Sequence, residues 1–185
     1  MSGDRELIQI VDAALSEAVR KSGAWLVCRP GCCECCIGPF GISQPDAARL
    51  RAGLAELESS DAGRAARVRQ RAHDAASRLP ELPHGQFEVW LEALPEDVPC
   101  PVLDPETGLC ELYAARPMTC RTFGPPGRTE GGLGVCELCF HGATDEQIAA
   151  CEMVADPDDL ESKLLEEIEK AKGPRGRTIV AFSVR

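Results

Sequence analysis

The chain has 185 residues, a formal net charge of −10 and 4% aromatic residues, which is enough for one domain with a modest core built from Leu, Ile, Val and Ala rather than large rings. Such an acidic balance argues against a nucleic-acid backbone as the main partner, since phosphate recognition calls for a basic surface. Eleven cysteines in so short a chain are the unusual feature.

In chain order, Leu7, Ile8, Val11, Ala14, Leu15, Ala18 and Val19 follow helical spacing, and Ser22-Gly23 supplies a stop. Residues 1–27 are therefore expected to form an N-terminal amphipathic helix. The same segment carries Asp4, Glu6, Asp12 and Glu17 and has no basic start with an unbroken apolar run, so it reads as neither a signal peptide nor a membrane span. A cytosolic location is expected. Stable disulfides are rare there, and an odd number of cysteines cannot all pair within one chain.

Five cysteines follow within nine residues: Cys28, Cys32, Cys33, Cys35 and Cys36. Ser43-Gln44-Pro45-Asp46 then reads as a helix start, with Ser43 capping, Pro45 in the first turn and Asp46 bonding back, and the helix should run to about Leu57. The Ser59-Ser60-Asp61 break opens another helix through Arg78, ended by Pro80 and Pro83. Its arginines, Arg64, Arg67, Arg69, Arg71 and Arg78, are read as a solvated face paired with acids such as Asp61 and Asp74. Phe87 to Leu94 is a short apolar helix bounded by Pro95.

Beyond Val98, Cys100 to Leu103 and Leu109 to Tyr113 flank the turn-rich Asp104-Pro105-Glu106-Thr107-Gly108, which predicts a β-hairpin. With Leu103 opposite Leu109, Cys100 and Cys110 would share a sheet face as near-diagonal neighbours. The glycine- and proline-rich stretch from Gly124 to Gly134 is expected to be an irregular loop leading to Cys136-Glu137-Leu138-Cys139. Thr144-Asp145-Glu146-Gln147 is a capping box, and Asp156-Pro157-Asp158-Asp159 is expected to open a helix striped by Leu160, Leu164, Leu165, Ile168 and Ala171 and closed by Gly173-Pro174. Thr178 to Val184 reads as an edge strand or a loose tail. The fold class expected is mainly α with a small β-hairpin, organised as an N-terminal helix (1–27), a cysteine-cluster domain (28–141) and C-terminal helices (142–185).

Cys28-x-x-x-Cys32-x-x-Cys35-Cys36, Cys100-Pro-x-Leu, Cys110-x-Leu-Tyr113, Arg116-Pro117-x-x-Cys120-Arg121 occur in order and resemble the YkgJ family of cysteine-cluster proteins, described as a zinc- or iron-chelating domain. The first step departs from the family's two-residue spacer, because Arg29-Pro30-Gly31 makes it three. The resemblance implies a small metal-binding domain with ligands among Cys28, Cys32, Cys35, Cys36, Cys100, Cys110 and Cys120. Cys33 falls in a spacer position.

The chemistry of these residues agrees with that implication. Clustered thiolates fill a tetrahedral zinc shell or anchor an iron-sulfur cluster, and four thiolates leave either centre negatively charged. Arg116 and Arg121, flanking Cys120, are candidates to donate to sulfur or brace the loop, while Tyr113 is read as a packed ring with a bonded hydroxyl. Cys136 and Cys139 are further candidate ligands, a second knuckle or a redox dithiol, with His141 nearby, although a redox dithiol should open a helix and here a glycine-rich loop precedes the pair; His73 and His84 lie in unrelated contexts, and Cys151 is read as a buried helix-packing residue. The step Cys28-x-x-x-Cys32-x-x-Cys35 also resembles the cluster triad of radical S-adenosylmethionine enzymes, but their βα barrel has no counterpart in this pattern. Related domains occur in flagellin lysine methylases. Three functions follow: a cytosolic protein binding zinc or an iron-sulfur cluster, a cluster-dependent redox or methyltransferase-like enzyme, or a metal-stabilised module for a protein partner. No nucleic acid and no membrane is expected as a partner.

Overall fold

A computed structural model describes residues 2–83, 85–129 and 131–185; His84 lies outside the described residues. In chain order the elements are α1 (Ser2–Ser22), β1 (Gly41–Ile42), α2 (Gln44–Ser60), α3 (Ala62–Ser77), α4 (Phe87–Glu92), α5 (Met118–Thr122), β2 (Gly127–Thr129), β3 (Gly132–Gly134), α6 (Asp145–Ala150), α7 (Leu160–Lys170), β4 (Thr178–Ile179) and α8 (Val180–Ser183). Single 3-10 turns lie at Gly23–Trp25, Glu34–Cys36 and Tyr113–Ala115. The chain is mainly helical with two small antiparallel two-stranded sheets among the described residues. None of the described helices is long and apolar enough to cross a membrane.

The chain forms two compact units. One comprises Pro30–Met118 and Pro174–Arg185. Its helices start where local chemistry satisfies their first amides: the Ser43 hydroxyl accepts the Asp46 N–H at 3.3 Å and the Asp46 carboxylate accepts the Ser43 N–H at 3.2 Å, a reciprocal capping box. Asp61 serves two helices. Its own N–H closes α2 on the Leu57 carbonyl at 2.6 Å, and its carboxylate accepts the Arg64 N–H that opens α3. Leu50, Leu54 and Leu57 of α2 are buried with Ala65, Val68 and Ala72 of α3, and the alanines let the two helices approach closely. Each fully buried leucine contributes roughly 1.5–3 kcal/mol.

The C-terminus completes this core. Gly41 and Ile42 of β1 pair antiparallel with Ile179 and Thr178 of β4, after which Val180 and Val184 enter the α2–α3 cluster. Thr178 to Val184 is thus a two-residue strand followed by a buried helical turn, because its apolar residues have a core to enter. Trp90, Leu94, Ile179 and Ala181 form a second cluster, where the Trp90 indole donates to the Pro80 carbonyl at 3.0 Å.

The other unit comprises Met1–Arg29 and Thr119–Gly173. Here α1 packs along α7, burying Leu7, Val11 and Leu164. The Thr144 capping box forms as its sequence dictates. Helix α7 begins at Leu160, directly after the Asp156-Pro157-Asp158-Asp159 opening, and the Asp156 carboxylate accepts the N–H groups of Leu160 and Glu161 at 2.9 and 2.8 Å. The glycine-rich stretch, expected to be irregular, holds the β2–β3 hairpin, with Arg128 opposite Leu133 and the Thr129 hydroxyl donating to the Gly132 carbonyl. Gly132, the first residue of β3, stands at φ 117°, a conformation that a side chain would strain.

Candidate metal centre

In the unit of Pro30–Met118 the cysteine nest is held by its own backbone. The Cys36 N–H donates to the Cys33 carbonyl at 2.8 Å, closing the 3-10 turn that carries Cys35 and Cys36. The following residues run antiparallel to residues 98–100: Ile37 bridges Pro99, Gly38 N–H donates to Val98 at 2.9 Å, and Cys100 N–H donates to the Cys36 carbonyl at 2.7 Å. That last bond sets Cys36 and Cys100 side by side.

The expected hairpin after Cys100 is a tight loop with one bridge, and its register is Leu103 opposite Cys110 rather than Leu109. A turn closed by Leu103 N–H on the Cys100 carbonyl at 3.0 Å curls the first arm, and Pro101 cannot donate to a ladder. Glu111 N–H donates to Val102 and Asp104 N–H to Leu109, both at 2.8 Å, so Cys110 returns beside the Cys100 turn. The Asp104 carboxylate shapes the tip by accepting from Glu106 N–H and the Thr107 hydroxyl. Gly108, at φ 68°, lies against the cysteine loop, since a Cβ there would stand 3.2 Å from the Gly31 carbonyl oxygen.

Four thiols thereby act on one another. The Cys36 S–H donates to the Cys35 sulfur; this bond, with the Arg116 guanidinium nearby, lowers the Cys35 pKa to about 7 despite burial and the Glu34 charge. Cys36 is correspondingly pushed far up, first by that bond, then by burial and by Cys35, Cys100 and Cys110. Burial raises Cys100 to about 12 and raises Cys110 as well, while the Val102 and Leu112 N–H groups donate to the two sulfurs and oppose the shift. Each is a donation from residue i+2 back to the cysteine at i. Arg116 favours the Cys110 thiolate too, and its guanidinium lies 3.8 Å from the Tyr113 ring centroid. Tyr113 itself is 63% exposed, so it is a platform for Arg116 and not the packed ring expected.

Cys32 and Cys33 are half-buried in the same unit. In the other unit, Cys28 is exposed, with its sulfur 2.8 Å from where a Cβ on Gly124 would stand, and Cys120 is half-buried on α5. Arg121 is buried there and pairs with Asp12 of α1 at 2.6 Å. Cys136 and Cys139 are buried on a turn closed by the Cys139 N–H on the Cys136 carbonyl, in one apolar cluster with Phe140 and Cys151. Cys151 lies just past the end of α6. His73 and His141 are exposed.

No cysteine is joined in a disulfide among the described residues. Nor does any group of three or more His, Cys, Asp or Glu side chains among them stand as a ready chelate. Protonated thiols hydrogen-bond to one another, as Cys36 does to Cys35, whereas ligation needs thiolates. The donor set of Cys35, Cys36, Cys100 and Cys110 nonetheless suits a soft centre: all sulfur, with two sulfurs already accepting backbone N–H groups and a guanidinium at hand.

The arginines of α3, expected to pair with acids such as Asp61 and Asp74, find other partners: Arg69 pairs with Glu58, while Arg64 and Arg71 both pair with Glu111. The signal in the sequence is a carboxylate at Glu111 beside Cys110 in an apolar run; buried, it needs a cation.

A family model described as "Putative zinc- or iron-chelating domain" matches residues 27–153. Comparison with curated proteins and with solved structures found no match. Matched over more than half its length by that model, the chain belongs to the CxxCxxCC family, to which the YkgJ cysteine-cluster name applies.

Proposed function

We propose that this protein binds a soft metal centre, zinc or an iron-sulfur cluster, through Cys35, Cys36, Cys100 and Cys110, with Cys32 beside them in the nest. The observation that carries the reading is the mutual interaction of these four thiols across two chain segments, together with N–H donation from Val102 and Leu112 to the hairpin sulfurs. Amide donation stabilises thiolate over thiol, the form a metal requires. Arg116 supplies positive charge at a centre that four thiolates would leave anionic. Eleven cysteines, an odd number that cannot all pair within one chain, fit a reducing compartment.

The cavity beside Cys100, lined by Phe40, Leu79 and Val180 among others, measures about 30 Å³. That is space for a water or two beside Cys100. The test is metal analysis with an ultraviolet-visible spectrum of anaerobically purified protein. Stoichiometric zinc with no visible absorption, or iron and sulfide with a broad charge-transfer band, supports the reading and names the centre. Protein that purifies without metal and takes up neither zinc nor iron would overturn it.

A further inference from the structure

The hairpin that carries Cys100 and Cys110 is clamped from outside by α3. Arg71 reaches it with two donors: Nε to the Pro101 carbonyl at 2.9 Å, and a terminal nitrogen to the Glu111 carboxylate. Arg64 donates to the other oxygen of the same carboxylate at 3.0 Å. The Glu111 side chain is 3% exposed and that of Arg71 27%. Pro101 follows Cys100 and Glu111 follows Cys110, so one guanidinium ties together the residues next to both cysteines.

We infer that Arg71 is a positioning residue for the thiol site, fixing the Cys100 and Cys110 arms in register from the α3 side. This rests on the reading of those cysteines as metal ligands. A planar guanidinium holds a carbonyl and a carboxylate in fixed directions from separate nitrogens, whereas an ammonium on a flexible stem has one nitrogen for both. Glu111, in turn, fixes Arg71 with help from Arg64, and Val102, whose N–H faces the Cys100 sulfur, is tied to Glu111 by the 2.8 Å backbone bond. The basic stretch of α3 thus acts on the site from outside the motif.

The full-length protein and its R71M, R71K and E111Q variants test this with two readouts. The first is Zn²⁺ affinity by chelator competition, well below each variant's melting temperature. R71M should bind Zn²⁺ about tenfold to a hundredfold more weakly, the usual range for groups that orient ligands; R71K should recover only part of this, and E111Q should fall between. The second readout is the alkylation rate of each cysteine in metal-free protein. Cys100 and Cys110 should label several-fold faster in R71M while Cys151 is unchanged. Unchanged labelling of Cys100 and Cys110 in folded R71M overturns the clamp whether or not metal binds. Wild-type protein that takes up no Zn²⁺ or iron would instead count against the metal-site reading, with labelling still deciding the clamp. If R71M does not fold, labelling of Cys100 and Cys110 in R71K and E111Q decides the clamp in the same way.

Discussion

The Asp46 carboxylate accepts the backbone N–H of Met118 at 3.0 Å, joining positions 72 residues apart. The same side chain, 4% exposed, caps α2 through Ser43 and pairs with Arg49. It therefore anchors the Arg116-Pro117-Met118 segment to the start of a core helix. Pro117 lacks an N–H, so this segment depends on the amide that follows it. Replacing Asp46 by Ala should cost about 3 kcal/mol or more, the order expected when a buried charge pair is broken, with the back-bond to the Ser43 N–H lost as well. Asn keeps an acceptor for the Ser43 and Met118 amides but not the charge that pairs with Arg49, so D46N should cost less than D46A. Urea unfolding measures both, and a cost below about 0.5 kcal/mol for D46A would mean the anchor is idle.

Four thiols of one group should not react alike. In metal-free protein Cys35, with a pKa of about 7, loses its proton as pH rises through that value, whereas Cys100 at about 12 stays protonated and Cys36 and Cys110 are raised. The thiolate is the nucleophile. At pH 7.5 iodoacetamide should label Cys35 first, and its rate should fall several-fold by pH 6. Peptide mapping by mass spectrometry decides it; Cys100 labelling as fast as Cys35 at pH 7.5 would contradict the arrangement.

Much of the fold is legible in the sequence because caps act locally. Ser43 with Asp46 and Thr144 with Gln147 each announce a helix within four residues, and the structure forms both boxes. What cannot be read there depends on tertiary partners. Leu103 faces Cys110 because a turn at Pro101 curls one arm, and the Gly127–Gly134 hairpin forms where composition alone suggests a loop. The motif singles out Cys35, Cys36, Cys100 and Cys110, and the Cys100 N–H bond to the Cys36 carbonyl sets two of these residues side by side. The role of Arg71 does not, since a helix arginine looks the same in sequence whether it meets water or a buried glutamate.

Replacement of Cys35, Cys36, Cys100 or Cys110 by Ser should each abolish stoichiometric metal, because a neutral hydroxyl is a poor substitute for a soft thiolate. C33S should keep normal metal, since its backbone carbonyl, not its sulfur, closes the turn of the nest. C151S should also keep metal while losing about 1–3 kcal/mol of stability, because it buries a hydroxyl in an apolar cluster. Metal content of the six variants is the measurement. Full metal in C36S and none in C33S would reverse the assignment.

Metal removal should act unevenly across the unit of Pro30–Met118. The nest and the hairpin are joined by few bonds, chiefly Cys100 N–H to Cys36 and Gly38 N–H to Val98, whereas α2, α3 and α8 share a core in which Leu50 and Val68 are fully buried. A centre that binds the folded chain and not the unfolded one adds its binding free energy to folding. Chelation under reducing conditions should therefore lower the melting temperature and speed amide hydrogen exchange at residues 32–38 and 99–112. The amides of α2 and α3 should stay protected, because their hydrogen bonds are intrahelical and Leu50, Leu54, Ala65 and Val68 pack on one another, with Cys100 and Cys110 only at the edge of that core. Equal loss of protection in the helices would mean that the centre holds up the whole unit, and no change at the hairpin amides would mean that metal does not bind there.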